Sequence, residues 1–186
     1  MKKIMLLLFA VMSIATLSAA NPIKLVKGDN SIFTKDVKVK VVIDDHKTII
    51  DKKNKPADVY YKSQGEGKYE AFVSDVDRAH ASFVTYFNEK KKSNIKMRIG
   101  LHESGAAYTM KIKVKSMNVG GVAFGFSHKA GGVVLNGTLS IVSNKSGKTV
   151  CEYEFDGVKG AMGPKFEFRA ISAYRYLADA LLEANY

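Results

Sequence analysis

The most unusual stretch of the sequence is Asn118-Val119-Gly120-Gly121-Val122-Ala123-Phe124-Gly125-Phe126-Ser127-His128-Lys129-Ala130-Gly131-Gly132, in which five glycines surround two phenylalanines. Glycine removes side-chain obstacles and permits positive φ, so such a run can turn sharply or bring backbone against a ligand. A phosphate cradle needs a Gly-rich loop that opens a helix, with Lys followed by Ser or Thr. Here the loop joins two predicted strands and Lys129 is followed by Ala130. A nucleophile elbow needs G-x-S-x-G between a strand and a helix. Gly125-Phe126-Ser127-His128-Lys129 lacks the second glycine and the helix, and adjacent Ser127 and His128 point to opposite sides of an extended chain. Two readings stay open. The loop is a plain strand connection whose aromatics fold back on the core, or it is a flap that presents Phe124 and Phe126, with Gly120, Gly121, Ser127 and His128, to a partner or ligand.

The other chemistry-bearing residues do not assemble into a site. His102-Glu103 lacks the second histidine of a helical zinc motif, and Asp44-Asp45-His46 reads as a strand-end turn, so no metal site is expected and no cofactor motif is present. The single cysteine, Cys151, cannot form an intramolecular disulfide. Alternation places it with Tyr153 and Phe155 on an apolar face, with Glu152 and Glu154 on the other, so it is expected to be a buried small hydrophobe without thiolate character. Glu152 and Glu154 fall on a wet face near lysines rather than facing each other for acid–base work. No catalytic residue is assigned, and the chain is expected not to be an enzyme.

Charge supplies the second candidate. The formal net charge is +11. If the predicted strands pair, Lys38, Lys40, Lys96, Arg98, Lys111, Lys113 and Lys115 share one face of a sheet, which would make an anion-binding surface for polyanionic glycan or lipid headgroups. The plainer account is a solvated face kept basic to block edge pairing. Single-strand nucleic-acid platforms require exposed aromatics among the cations. None falls on this face, so nucleic acid is not an expected partner.

The elements that must position these residues follow from periodicity. Val37, Val39, Val41 and Ile43 alternate with Lys38 and Lys40 in a strand, after a mixed segment 21–35 expected to lie extended over the surface. Residues 51–68 carry Pro56, Gly65 and Gly67 and read as a loop. Phe72, Val76, Ala79, Phe83 and Phe87 recur at helical spacing in a helix over 69–92, whose Lys90-Lys91-Lys92 end complements the helix dipole. Four strands follow, over 95–101, 108–114, 132–143 and 148–158, with Gly137 a candidate bulge and Asn144-Lys145-Ser146-Gly147 a hairpin turn. A second helix over 164–184 starts at Gly163-Pro164 and carries Phe168, Ile171, Tyr174, Leu177, Ala178, Leu181 and Leu182 as an apolar stripe. The order β-α-β-β-β-β-α predicts an α+β two-layer sandwich: one mostly antiparallel sheet of about five strands with two helices on one face.

The N-terminus supplies an address. Lys2 and Lys3, the apolar run from Ile4, and small Ser18 and Ala20 at the −3 and −1 positions make residues 1–20 a Sec-type signal peptide cut before Asn21. Residues 21–186 then form a single domain, periplasmic or extracellular, with no later segment of membrane-spanning length. An apolar content of 46% with 10 Phe and 9 Tyr argues against disorder.

The stretches Tyr108–Val114, Gly131–Leu139, Ser146–Val150 and Ala170–Leu182 resemble an uncharacterised group of secreted α/β proteins of bacterial envelopes, similar in outline to the TolB N-terminal domain and to auxiliary components of some ABC transporters. The resemblance implies an assembly or binding role, while the lack of a lipidation cysteine departs from the lipid-anchored members. The expected function is therefore a non-enzymatic binding or assembly module of the envelope, meeting either a protein partner through the Gly/Phe loop or an anionic envelope component through the basic face. A hydrolase would need a convergent Ser, His and acid.

Overall fold

The computed structural model of the protein describes residues 21–121 and 131–186. The expected signal segment 1–20, and Phe124, Phe126, Ser127 and His128 of the Gly/Phe loop, lie outside the described residues.

The elements run β1 (Ile23–Gly28), a 3-10 turn (Ser31–Thr34), β2 (Lys38–Asp44), β3 (Ile49–Ile50), β4 (Lys55–Pro56), α1 (Ala57–Lys62), α2 (Glu66–Lys90), β5 (Arg98–Gly100), β6 (Tyr108–Asn118), β7 (Val134–Ser143), β8 (Thr149–Lys159) and α3 (Phe166–Glu183). Among the described residues the sheet has eight strands, in the order β1-β8-β7-β6-β2-β5, with the short β3 against β6 and β4 against β3. It is mixed: β2 runs parallel to both β5 and β6, while β6, β7, β8 and β1 are joined antiparallel.

The expected five-stranded, mostly antiparallel sheet with two helices is therefore wrong, and each departure has a local cause. Segment 21–35 starts out extended, as read, but it is also a strand of the sheet that the count missed: β1 closes the antiparallel edge against β8, pairing Ile23 with Phe155 and Gly28 with Cys151. Its sequence shows only Ile23 inward, too little alternation to announce a strand. Segment 51–68 contains β4 and α1, which are too short to build a periodic signal. The strand after α2 does not begin a meander; β5 pairs with β2 through Lys38–Arg98 and Val39–Ile99 at the far edge. β6 then inserts on the other side of β2.

The inward side chains of the long strands meet the apolar faces of the helices in one core that includes Val39, Val41, Met110, Ile112, Leu139, Ile141, Tyr153, Phe83, Phe87, Leu177 and Leu181. The predicted stripe of α2 is buried as read. In α3 the stripe is rotated: Phe168 is 52% exposed while Arg169 is buried. Phe168 lies on the side of the helix opposite the Ala170–Ala173–Leu177 line, and only its type suggested the core. The contacts Arg78–Glu167 (2.5 Å), Ser82–Arg175 (2.6 Å) and Tyr86–Asp179 (3.4 Å) advance together, so α2 and α3 run side by side in the same direction. Gly137 sits at a register irregularity of β7, and a Cβ there would lie 2.2 Å from the Lys113 carbonyl oxygen, so the close crossing requires glycine. Among the described residues no helix is long and apolar enough to cross a membrane.

Candidate functional site

Period-2 alternation sends Val39, Val41, Met110, Ile112 and Val114 into the core, so their neighbours must emerge on the opposite face of the sheet. Among the described residues no helix covers that face. Lys38 and Lys40 of β2, Lys96 and Arg98 at β5, and Lys111, Lys113 and Lys115 of β6 are all exposed there. The sequence-predicted basic surface is thus assembled as one patch. Register fixes its pattern: one cross-strand row reads Val42, Lys111, Ser140, Glu152, and the next reads Asp44, Lys113, Thr138, Glu154. Neighbours in a row stand about 4.8 Å apart and rows roughly 7 Å apart. The cations therefore form a band over β5, β2 and β6, β7 contributes hydroxyls, and β8 a line of carboxylates. A shallow depression of about 330 Å³ lies in the middle, lined by Val42, Asp44, Lys111, Lys113, Thr138 and Ser140. Two ion pairs trim the far edge, Lys38–Glu103 and Arg98–Asp36, both at 3.6 Å. Lys111, Lys113 and Lys115 stand outside any ion pair among the described residues.

At the foot of the Gly/Phe loop, Gly121 and Gly131 form an isolated antiparallel bridge with both N···O distances 3.3 Å. Gly120 has φ +69°, and a Cβ there would lie 2.2 Å from the Gly131 carbonyl oxygen. Its N–H donates to Asn118 Oδ1 at 3.0 Å. Arg169 of α3 reinforces this foot from behind, donating from Nε to the Val119 carbonyl at 3.3 Å and from Nη1 to the Gly163 carbonyl at 2.7 Å. Gly120 and Gly121 therefore belong to a clamped base.

One polar cluster went unread in the sequence. Asp45, which alternation alone assigns to a strand-end turn, is 1% exposed. Its Oδ2 lies 2.7 Å from His80 Nε2 on α2 and accepts from the Tyr174 hydroxyl of α3 at 3.0 Å. The His80 ring meets Tyr174 edge-on, with centroids 5.1 Å apart. Burial, with the Asp45 carboxylate adding to it, holds the Tyr174 phenol well above its ordinary pKa. Asp45 Oδ1 is buried and has no hydrogen-bond partner among the described residues. The cluster ties the end of β2 to both long helices; its members lie far apart in sequence, and only three unrelated periodicities meeting in space could have revealed it.

Among the described residues the remaining histidines and acids do not converge. His46 is exposed and its Asp45 neighbour turns inward, and His102 is exposed. Among the described residues no group of three or more His, Cys, Asp or Glu side chains is placed to hold a metal ion. Cys151 is buried, and burial pushes its thiol up to about 12.

No family model matches the chain, and no curated protein matches it. Among solved structures it is similar to the PelC dodecamer from Paraburkholderia phytofirmans in two crystal forms, one of a point variant, with TM-scores of 0.41 and 0.40 and 12% identity. Each alignment covers 85% of this chain and 95% of that chain. Neither likeness bears on the outline resemblance to the TolB N-terminal domain.

Proposed function

We propose that this chain is an exported, non-enzymatic binding module of the cell envelope whose open sheet face meets an acidic glycan. The observation that carries the reading is the band of exposed cations across β5, β2 and β6, in which Lys111, Lys113 and Lys115 have no carboxylate partner among the described residues. Side chains held by a rigid sheet at a fixed spacing meet repeating charges without ordering a loop first. The Ser140 and Thr138 hydroxyls beside them offer hydrogen bonds to sugar hydroxyls, and Val42, 43% exposed, offers apolar contact. Asn21, the expected first residue of the processed chain, is tied into the fold: its carboxamide donates to the Ala180 carbonyl at 3.0 Å and its Oδ1 accepts from the Ile23 N–H.

The test is retention on an immobilised polyuronate across a salt gradient. The protein should be retained at low salt and released as ionic strength rises. The double substitution Lys111→Glu plus Lys113→Glu should abolish retention without unfolding. Indifference to salt, or to that substitution, would sink the reading, and equal retention on vesicles of anionic lipid but not on the glycan would reassign the partner. Export is tested by N-terminal sequencing of the mature protein, which should begin at Asn21.

A further inference from the structure

A second concave site, at another place on the molecule, has a different chemistry. Between the turn that joins β3 to β4, the end of β6 and the end of β8 lies a cavity of about 380 Å³ lined by Lys52, Asn118, Lys159 and the backbone of Gly120, Gly121, Gly131 and Gly132. Its size falls in the range of roughly 300–1,000 Å³ typical of small-molecule sites. Its polarity is one-sided. No carboxylate is among its lining residues. Neither Lys52 nor Lys159 is in an ion pair among the described residues. The Asn118 carbonyl oxygen accepts from the Gly120 N–H, which orients the side chain, and its amide NH2 is a neutral donor. Arg169 adds a third positive charge behind the wall, held by the Val119 and Gly163 carbonyls rather than by a carboxylate. A concavity lined by one sign of charge concentrates the opposite ion.

Lys52 stands on unusual backbone. Its φ is +66°, in the left-handed region that glycine favours. The turn is fixed by the Lys53 and Asn54 N–H groups, which both donate to the Ile50 carbonyl at 3.1 and 3.0 Å, and by the Asp51 N–H to Met117 at 3.0 Å. Glycine would satisfy this turn with less strain, so the lysine sits here against local backbone preference.

We propose that this cavity is a binding site for a small organic phosphate of sugar-phosphate size, its phosphoryl group held between Lys52 and Lys159 with Asn118 as a neutral donor. The volume exceeds what a bare ion fills, and two cationic side chains line it with no carboxylate among the lining residues, a pairing that suits a dianionic group carried on a polar body. The cavity lies at the end of the same open face, where Asn118, Val134 and Lys159 are cross-strand neighbours, but it shares no lining residue with the depression at Lys111 and Lys113, so each site can fail without the other.

The experiment is calorimetric titration at low ionic strength with glucose 6-phosphate, inorganic phosphate, glucose and galacturonate as probes. Glucose 6-phosphate should bind and glucose should not. Lys52→Gly removes the charge and relaxes the backbone, and Lys159→Gln removes the second charge; each should weaken binding at least tenfold, and the pair should abolish it, with thermal midpoints no lower than that of the parent. Lys111→Glu should leave this binding unchanged. No binding of glucose 6-phosphate by the parent, galacturonate binding as tightly as glucose 6-phosphate, or unaltered binding by the double variant would overturn the proposal.

Discussion

The two faces of the one sheet carry polar side chains for opposite reasons. On the covered face Asp45 is locked under both helices, with His80 and Tyr174 as partners and one carboxylate oxygen unmatched. On the open face Lys111, Lys113 and Lys115 are exposed and make no ion pair among the described residues. A buried polar group is costly unless matched, so the first set is tied to stability; an exposed lysine contributes little to folding, so the second set is available for binding. The same alternation of side chains along β2 produces both, with Asp44 outward on the strand and Asp45, one residue later, turned inward past its end.

That contrast can be broken at graded strength. The largest effect is on reactivity: with its thiol pushed up to about 12, Cys151 should show a thiolate population at pH 8 roughly three orders of magnitude below that of an ordinary thiol near pKa 8.5. Maleimide should label it only on unfolding, and rapid native labelling would show the covered face to be open. Asp45→Ala comes next. It strips the acceptor from a fully buried tyrosine and from His80, and is expected to lower unfolding free energy by about 3–5 kcal/mol in denaturant titration. Tyr174→Phe removes one hydrogen bond to the same carboxylate and should cost about 1–3 kcal/mol. The smallest change in stability belongs to the open face: Lys113→Gln should shift it by no more than about 0.5 kcal/mol while still advancing elution from the polyuronate. A large loss of stability from Lys113→Gln, or none from Asp45→Ala, would erase the distinction.

Legibility in the sequence followed the length of each periodic segment. α2 and α3 and the strands β2, β6, β7 and β8 could be read because each repeats its pattern several times. The burial of Cys151 with Tyr153 and Phe155 followed from the same alternation, as did the shared face of Lys96, Arg98, Lys111, Lys113 and Lys115. What failed was pairing across distance. Nothing local says that β1 joins β8, or that β6 enters beside β2 while β5 takes the edge, because strand order is decided by how the sheet closes over the helices. Hence an expected sheet of about five mostly antiparallel strands proved to have eight in mixed directions. The Asp45–His80–Tyr174 cluster was hidden for the same reason, and the phosphate-cradle test, aimed at the Gly/Phe run alone, had no means of finding Lys52 and Lys159 beside its foot.

The pairing of β1 with β8 also sets an order of assembly. Ile23 meets Phe155, and Phe33 packs edge-on against Tyr153 at 6.2 Å, so the first-made strand has its partner only when nearly the whole chain exists. Contacts of such long sequence separation slow folding, because the loop between them must close before they contribute. A nascent chain of this protein therefore cannot seat its own beginning until its last hairpin has emerged, and any truncation upstream of Thr149 would leave that beginning without a place in the sheet.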